Sequence, residues 1–165
     1  LADRVRRYLV EVRGVAADTA EAVMAAGWTR LPRLEARALA LDAIRADDEF
    51  RALALAFKRV RNITADAPDT PVQPELFQQP EERELGEAAA AFHERVPQLV
   101  AERRLDEAFA AMRPLAEVLD RFFVEVLVMC EDERIRANRI ALLKMLGGDF
   151  LILADLSRLH VEGGD

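Results

Sequence analysis

The sequence predicts an all-α protein, a helical bundle of about seven helices. Three observations predict it. Ala, Leu, Glu and Arg dominate the 165 residues, and β-branched residues other than Val are sparse, which is the composition of helix formers. Apolar residues recur at helical spacing, and no stretch reads convincingly as a strand. Gly, Asp and Pro stand where those periodic runs stop and start.

Residues 2–13 carry Val5, Leu9 and Val12 at helical spacing and stop at Gly14. A short second helix, 19–26, begins after Asp18 as its N-cap and ends at Gly27. Trp28 to Pro32 is a connection, and 33–46 is the third helix. The fourth begins at Asp47 or Asp48, either of which can cap it, and runs to about Ala65. Asp66 to Pro80 holds Pro68, Pro71, Pro74 and Pro80. Such a stretch cannot be regular structure, so it reads as a linker that Leu76 and Phe77 pin onto the body. The fifth helix is 81–101. The sixth is 105–130, kinked or broken before Pro114. The seventh is 133–159, bent at Gly147-Gly148, and Val161 to Asp165 is a frayed tail.

The last two helices read as the core. Phe122, Phe123, Val126, Leu127, Met129 and Cys130 are expected to crowd one side of the sixth. Leu151, Ile152 and Leu153 are consecutive, so that part of the seventh is expected to be buried all round. The whole of 1–165 reads as a single domain with the proline linker inside it. Because it opens on Leu1 and is helical from the outset, it reads as a piece of a longer polypeptide.

Apolar residues make up 52% and charged residues 32%, which excludes a disordered chain. A domain of this length can bury about 68–70% of its unfolded surface. The net charge of −7 counts against nucleic acid. The basic residues are almost all Arg, however, with only Lys58 and Lys144 besides. Arg makes forked contacts to phosphate, and a global charge says little about one face. Cys130 is the only cysteine, so no internal disulfide is possible and a reducing, cytoplasmic setting fits. The longest apolar runs, Phe122 to Cys130 and Phe150 to Ala154, are too short to span a membrane.

Catalytic chemistry finds no support in the residues. His93 and His160 are the only histidines. His160-Val161-Glu162 has the first half of a zinc-deaminase signature, but a single cysteine cannot supply the second. Ser157 has no nucleophile-elbow glycines around it, and Cys130 has no local base. No glycine-rich phosphate loop is present. The acid clusters Glu81-Glu82 and Glu131-Asp132-Glu133 sit at helix starts, where the macrodipole explains them. We therefore expect no catalytic residue and no metal site.

Binding chemistry is better represented. In the fourth helix the apolar stripe is Leu53, Ala56, Phe57, Val60 and Ile63. A helical wheel places Lys58 and Asn62 opposite it and Arg59 and Arg61 on its flanks. Such a face is either solvated or meets RNA, which needs cations beside aromatic platforms; Tyr8, Trp28 and Phe77 are candidate platforms or local plugs. In the seventh helix Arg136 and Arg139 share a side with Ile140, Leu143, Leu146 and Phe150. They are expected to be structural, paired with acids such as Glu131, Asp132 or Asp120. Arg134 and Asn138 point the other way. The candidate contacts are thus Lys58, Arg59, Arg61, Asn62, Arg134 and Asn138.

Four segments occur in an order that carries a resemblance. They are Lys58-Arg59-Val60-Arg61-Asn62-Ile63, Phe122 to Met129, Glu131 to Leu143, and Ala154-Asp155-Leu156-Ser157. Together they resemble the C-terminal end of the β subunit of bacterial glycyl-tRNA synthetases. That region is a DALR-type anticodon-binding domain, a kind shared with arginyl-tRNA synthetases. Glu133-Arg134-Ile135-Arg136 stands where the tetrapeptide that names the family stands, departing from it at its first three positions. The likeness covers most of 35–159 and is strongest in the last forty residues or so.

The resemblance implies an all-α domain that recognises the anticodon arm of glycine tRNA. It implies that glycine activation, with ATP and Mg²⁺, resides in the α subunit, and that this fragment holds no cofactor of its own. The implied partners are glycine tRNA, the remainder of the β subunit and the α subunit, with no membrane. Two rivals stand beside it: an arginyl-tRNA synthetase-like anticodon-binding domain, and a helical protein–protein docking module.

Overall fold

A computed structural model describes residues 1–162. Of the tail expected to fray, 163–165 lie outside the described residues. The described residues contain helices and connections and no strand, so the predicted all-α class holds. The α-helices are α1 (Ala2–Arg7), α2 (Ala17–Ala25), α3 (Leu31–Ile44), α4 (Asp48–Thr64), α5 (Pro80–Ala101), α6 (Leu105–Ala110), α7 (Arg113–Glu125) and α8 (Glu133–Phe150).

The N-terminal helix departs from its predicted periodicity. After Arg7 it continues as a π-helical turn, Tyr8–Val12, closed by the Arg13 N–H donating to the Tyr8 carbonyl at 3.2 Å. A π turn holds more residues than an α turn, which rotates the next side chain off the stripe. Val5 and Leu9 are buried as expected, but Val12 is 68% exposed. Gly14 follows at φ +71°, a conformation only glycine adopts freely. In α2 the N-cap is Ala16, not Asp18. Asp18 sits two residues further in, within the first turn and buried, where its carboxylate takes the Arg45 guanidinium of the α3 end. α3 begins at Leu31, so Pro32 belongs to its first turn, a position that needs no N–H.

The largest corrections concern the last third. The expected sixth helix is broken before Pro114, as its sequence predicts, into α6 and α7, with Pro114 in the first turn of α7. α7 ends at Glu125, where Val126 turns extended (φ −106°, ψ 121°). From there burial alternates: Val126 and Val128 are buried, while Leu127 and Met129 are 70% and 63% exposed. That is the period of extended chain, not of a helix. α8 runs without interruption through Gly147 and Gly148 and stops at Phe150, short of the predicted end. Leu153 is buried, but Ile152 is 38% exposed. A 3₁₀ turn, Leu156–Arg158, closes the described chain, and the Asp155 side chain accepts from the Ser157 N–H at its start.

The core is one continuous cluster. Phe57 stacks on Phe150 with ring centroids 5.4 Å apart, and Phe92 meets the same ring edge-on at 5.3 Å. These contacts join α4, α5 and α8. A Cβ at Gly147 would stand 3.3 Å from a Val60 methyl, so the glycine lets α4 and α8 approach closely.

The proline segment lies along this body. It carries a single 3₁₀ turn, Pro74–Leu76. Phe77 packs so tightly over α5 that a Cβ at Gly86 would stand 2.7 Å from its ring. No helix of the described residues is long and apolar enough to cross a membrane.

Candidate nucleic-acid interface

The arginine-rich start of α8 is built from the backbone outward. Asp132 caps the helix, its carboxylate accepting from the N–H groups of Arg134 at 2.9 Å and Ile135 at 3.1 Å. An Asp in that place satisfies orphan N–H groups and suits the positive end of the helix dipole. Arg134 then projects from the first turn, exposed.

Arg136 and Arg139 turn inward, as their position on the apolar stripe predicts, but their partners differ from those expected. The Arg136 guanidinium donates to the Cys130 carbonyl at 2.9 Å. Arg139 donates to the Leu127 carbonyl at 2.8 Å and to the Glu82 carboxylate at 2.8 Å. Neither meets Glu131, Asp132 or Asp120. The extended chain after Glu125 frees carbonyls that a helix would have used, and the two arginines take them.

Glu82 is the residue the sequence reading missed here. It is 1% exposed and accepts from the N–H groups of Gln78 and Gln79 at 2.9 and 2.8 Å as half of a capping box at the start of α5. Burial pushes its carboxyl up. The Arg139 guanidinium and the two backbone N–H groups outweigh that and hold it below the ordinary carboxylate value. The capping-box spacing from Gln79 to Glu82 was the available signal. The long-range partner was not.

Asn138 does not face solvent. It is 5% exposed. Its side-chain oxygen accepts from the Gln73 N–H at 2.7 Å, and its amide donates to the Gln73 carbonyl at 2.9 Å. One side chain thereby engages both backbone groups of a linker residue and supplies the only partner found for its N–H among the described residues. Lys144, further along α8, donates to the Ala67 carbonyl and lies 3.5 Å from Asp69. The proline segment is thus tied to α8 at two heights.

On α4, Arg61 and Asn62 are exposed and Lys58 is half-buried. The Arg59 guanidinium lies over the Phe123 ring, 4.3 Å from its centroid, a cation–π contact that brings α4 to the end of α7. Val60 packs on Gly147, so the α4 cluster sits beside the last turns of α8, whereas Arg134 is in its first turn. The interval from Gly147 back to Arg134 is about 20 Å of helix. The predicted contacts therefore form two groups, with Arg59 of the α4 group resting on Phe123 near the end of α7.

The model of the DALR anticodon binding domain family matches residues 53–148, and the chain belongs to that family. Among curated proteins it is similar to glycine–tRNA ligase beta subunits. That of Desulforudis audaxviator (strain MP104C) is 37% identical over 152 residues, 92% of this chain and 22% of the relative. That of Citrifermentans bemidjiense is 42% identical over 142 residues, covering 86% and 21%. That of Acidobacterium capsulatum is 36% identical over 169 residues, covering 96% and 24%. The chain spans between a fifth and a quarter of the length of these relatives.

Proposed function

We propose that this chain is the anticodon-binding domain of a glycine–tRNA ligase β subunit and that it grips the anticodon arm of glycine tRNA. The observation that carries the reading is the family match over 53–148, set within relatives at least 36% identical across 86% or more of the chain. The direct contacts we assign are Lys58, Arg59, Arg61, Asn62 and Arg134. Asn138 contributes by fixing the linker beside them, and Arg136 and Arg139 by fixing the α7–α8 connection.

Glycine activation with ATP and Mg²⁺ is assigned to the α subunit; this chain has no phosphate-binding glycine loop to support it. The row Val124, Leu127 and Met129, at 71%, 70% and 63% exposure, suits docking to the remainder of the β subunit. A cytoplasmic location follows from such a role.

A gel-shift panel with glycine tRNA and its anticodon-swapped variants tests the proposal. Binding should prefer the native anticodon and weaken with salt, by a log–log slope of about −0.7 per single-strand phosphate contacted. Lys58→Ala, Arg61→Ala and Arg134→Ala should each lower affinity while stability stays within about 0.5 kcal/mol. Binding that ignores the anticodon and barely responds to salt would return the chain to a protein-docking role.

A further inference from the structure

Away from the α8 junction, a groove of about 820 Å³ opens between the α2–α3 connection, the α5–α6 connection and the chain just past α8. Arg30, Arg33, Arg37 and Arg103 line it together with Trp28. None of the lining side chains is acidic, although the whole chain carries a net charge of −7. Among the described residues none of these four arginines forms an ion pair. Of the acids near Arg103 in the chain, Glu102 and Glu107 are held by Arg104, and Asp106 does not line the groove.

The groove is held in place from within. Arg37 is 8% exposed, and its guanidinium donates to the carbonyls of Ile152 at 3.3 Å, Leu153 at 3.2 Å and Gly27. This buried cation ties the α2–α3 connection to the chain past α8 and has no carboxylate to neutralise it. Arg103 occupies the position after α5 where glycine is usual. Its φ is +61°. Its N–H donates to the Val100 carbonyl at 3.1 Å, and the Arg104 N–H to the Leu99 carbonyl at 2.8 Å, the paired bonds of a Schellman turn. An L side chain is disfavoured in that conformation, yet an arginine stands there and lines the groove. Trp28, the only tryptophan, is half-buried in the wall beside Arg30.

Unneutralised guanidinium forks beside an aromatic face are the combination that single-stranded RNA recognition uses. The forks match phosphate oxygens, and the ring takes a base. We propose that this groove is a second RNA site, holding a single-stranded stretch of the tRNA with phosphates on Arg30, Arg33 and Arg103 and a base against the Trp28 indole. The inference rests on the tRNA reading above. Arg30, Arg33 and Arg37 lie outside the residues the family model matches.

The sole tryptophan makes the test direct. The 165-residue chain is titrated with a glycine tRNA transcript while two signals are read, the anisotropy of labelled tRNA and the emission of Trp28. Emission should fall saturably along the same binding curve as the anisotropy. Arg33→Glu should weaken binding about tenfold and Trp28→Ala by a similar factor, the scale of a lost stacking contact. Arg103→Gly should also weaken binding while melting no lower than the parent, since glycine suits that backbone. Undisturbed emission, with Arg33→Glu binding like the parent, overturns the groove site and leaves the proposed function standing. Loss of any anisotropy change with the parent chain overturns both. Quenching by hexaglutamate but not by tRNA would assign the groove to an acidic protein segment and overturn the RNA site.

Discussion

Arg139 and Glu82 form a buried ion pair, 2.8 Å apart, with their side chains 4% and 1% exposed. It joins the middle of α8 to the first turn of α5. Through the Leu127 carbonyl, Arg139 also holds the extended chain after α7. The pair is the point where three segments lock together. Its net worth against an apolar replacement is small, but breaking it is costly because one charge is left in a dry place.

Arg139→Met should therefore destabilise the fold by about 3–5 kcal/mol, the largest loss for any single arginine of α8. Glu82→Gln keeps an acceptor for the capping N–H groups and removes the charge. The double variant Arg139→Met/Glu82→Gln should accordingly be more stable than Arg139→Met alone. Urea denaturation of the four members of this cycle measures the coupling, and additive losses would show that the pair does not act as one.

The linker depends on a different residue. Asn138→Ala would leave the Gln73 N–H without its partner and the Gln73 carbonyl with only the Leu76 N–H, a local cost of about 1–3 kcal/mol. Limited proteolysis should then cut within 66–80 markedly faster than in the parent, with little change at α5. Gly86→Ala should act on the same segment by displacing the Phe77 ring, even though alanine is the better helix former by up to about 1 kcal/mol. First cleavage inside Pro80–Ala101 in the parent would contradict this account of what holds the linker.

Acid should loosen the N-terminal half through Asp18. Burial pushes its carboxyl up, but the Arg45 guanidinium and the N–H groups of His160 and Thr19 outweigh this and hold it at about 2. A carboxyl depressed in the folded state contributes stability above its unfolded value, near 3.9. That contribution is lost as pH falls from about 4 through 2. Asp18→Asn should cost on the order of 2 kcal/mol at pH 7 and flatten the decline below pH 4. Thermal melts from pH 7 to pH 2 on parent and variant read it, and parallel curves would exclude Asp18 as the cause.

Several of the features above could be read from residues alone. Helix-forming composition and apolar spacing are local, and each of the caps at Gln79 and Asp132 involves residues within one turn of it, so local chemistry specifies them. The inward turn of Arg136 and Arg139 followed from their place on an apolar stripe. The same wheel failed for Asn138, because a polar side chain on an outer face is still buried when a linker is laid across it. It failed again for the chain after Glu125, which is apolar enough for a helix.

What the sequence by itself determined was the class of fold, the positions of most helices and, through an ordered set of motifs, the family. Tertiary structure decided the rest. Whether Val126 to Cys130 coils or extends depends on Arg136 and Arg139 reaching its carbonyls. Whether Arg139 finds an acid depends on Glu82, 57 residues away in the chain. The arginine groove exists only where Arg30, Arg33 and Arg103 are brought to one opening. These are contacts between residues distant in sequence, and local periodicity carries no term for them; only packing of the apolar faces sets those distances.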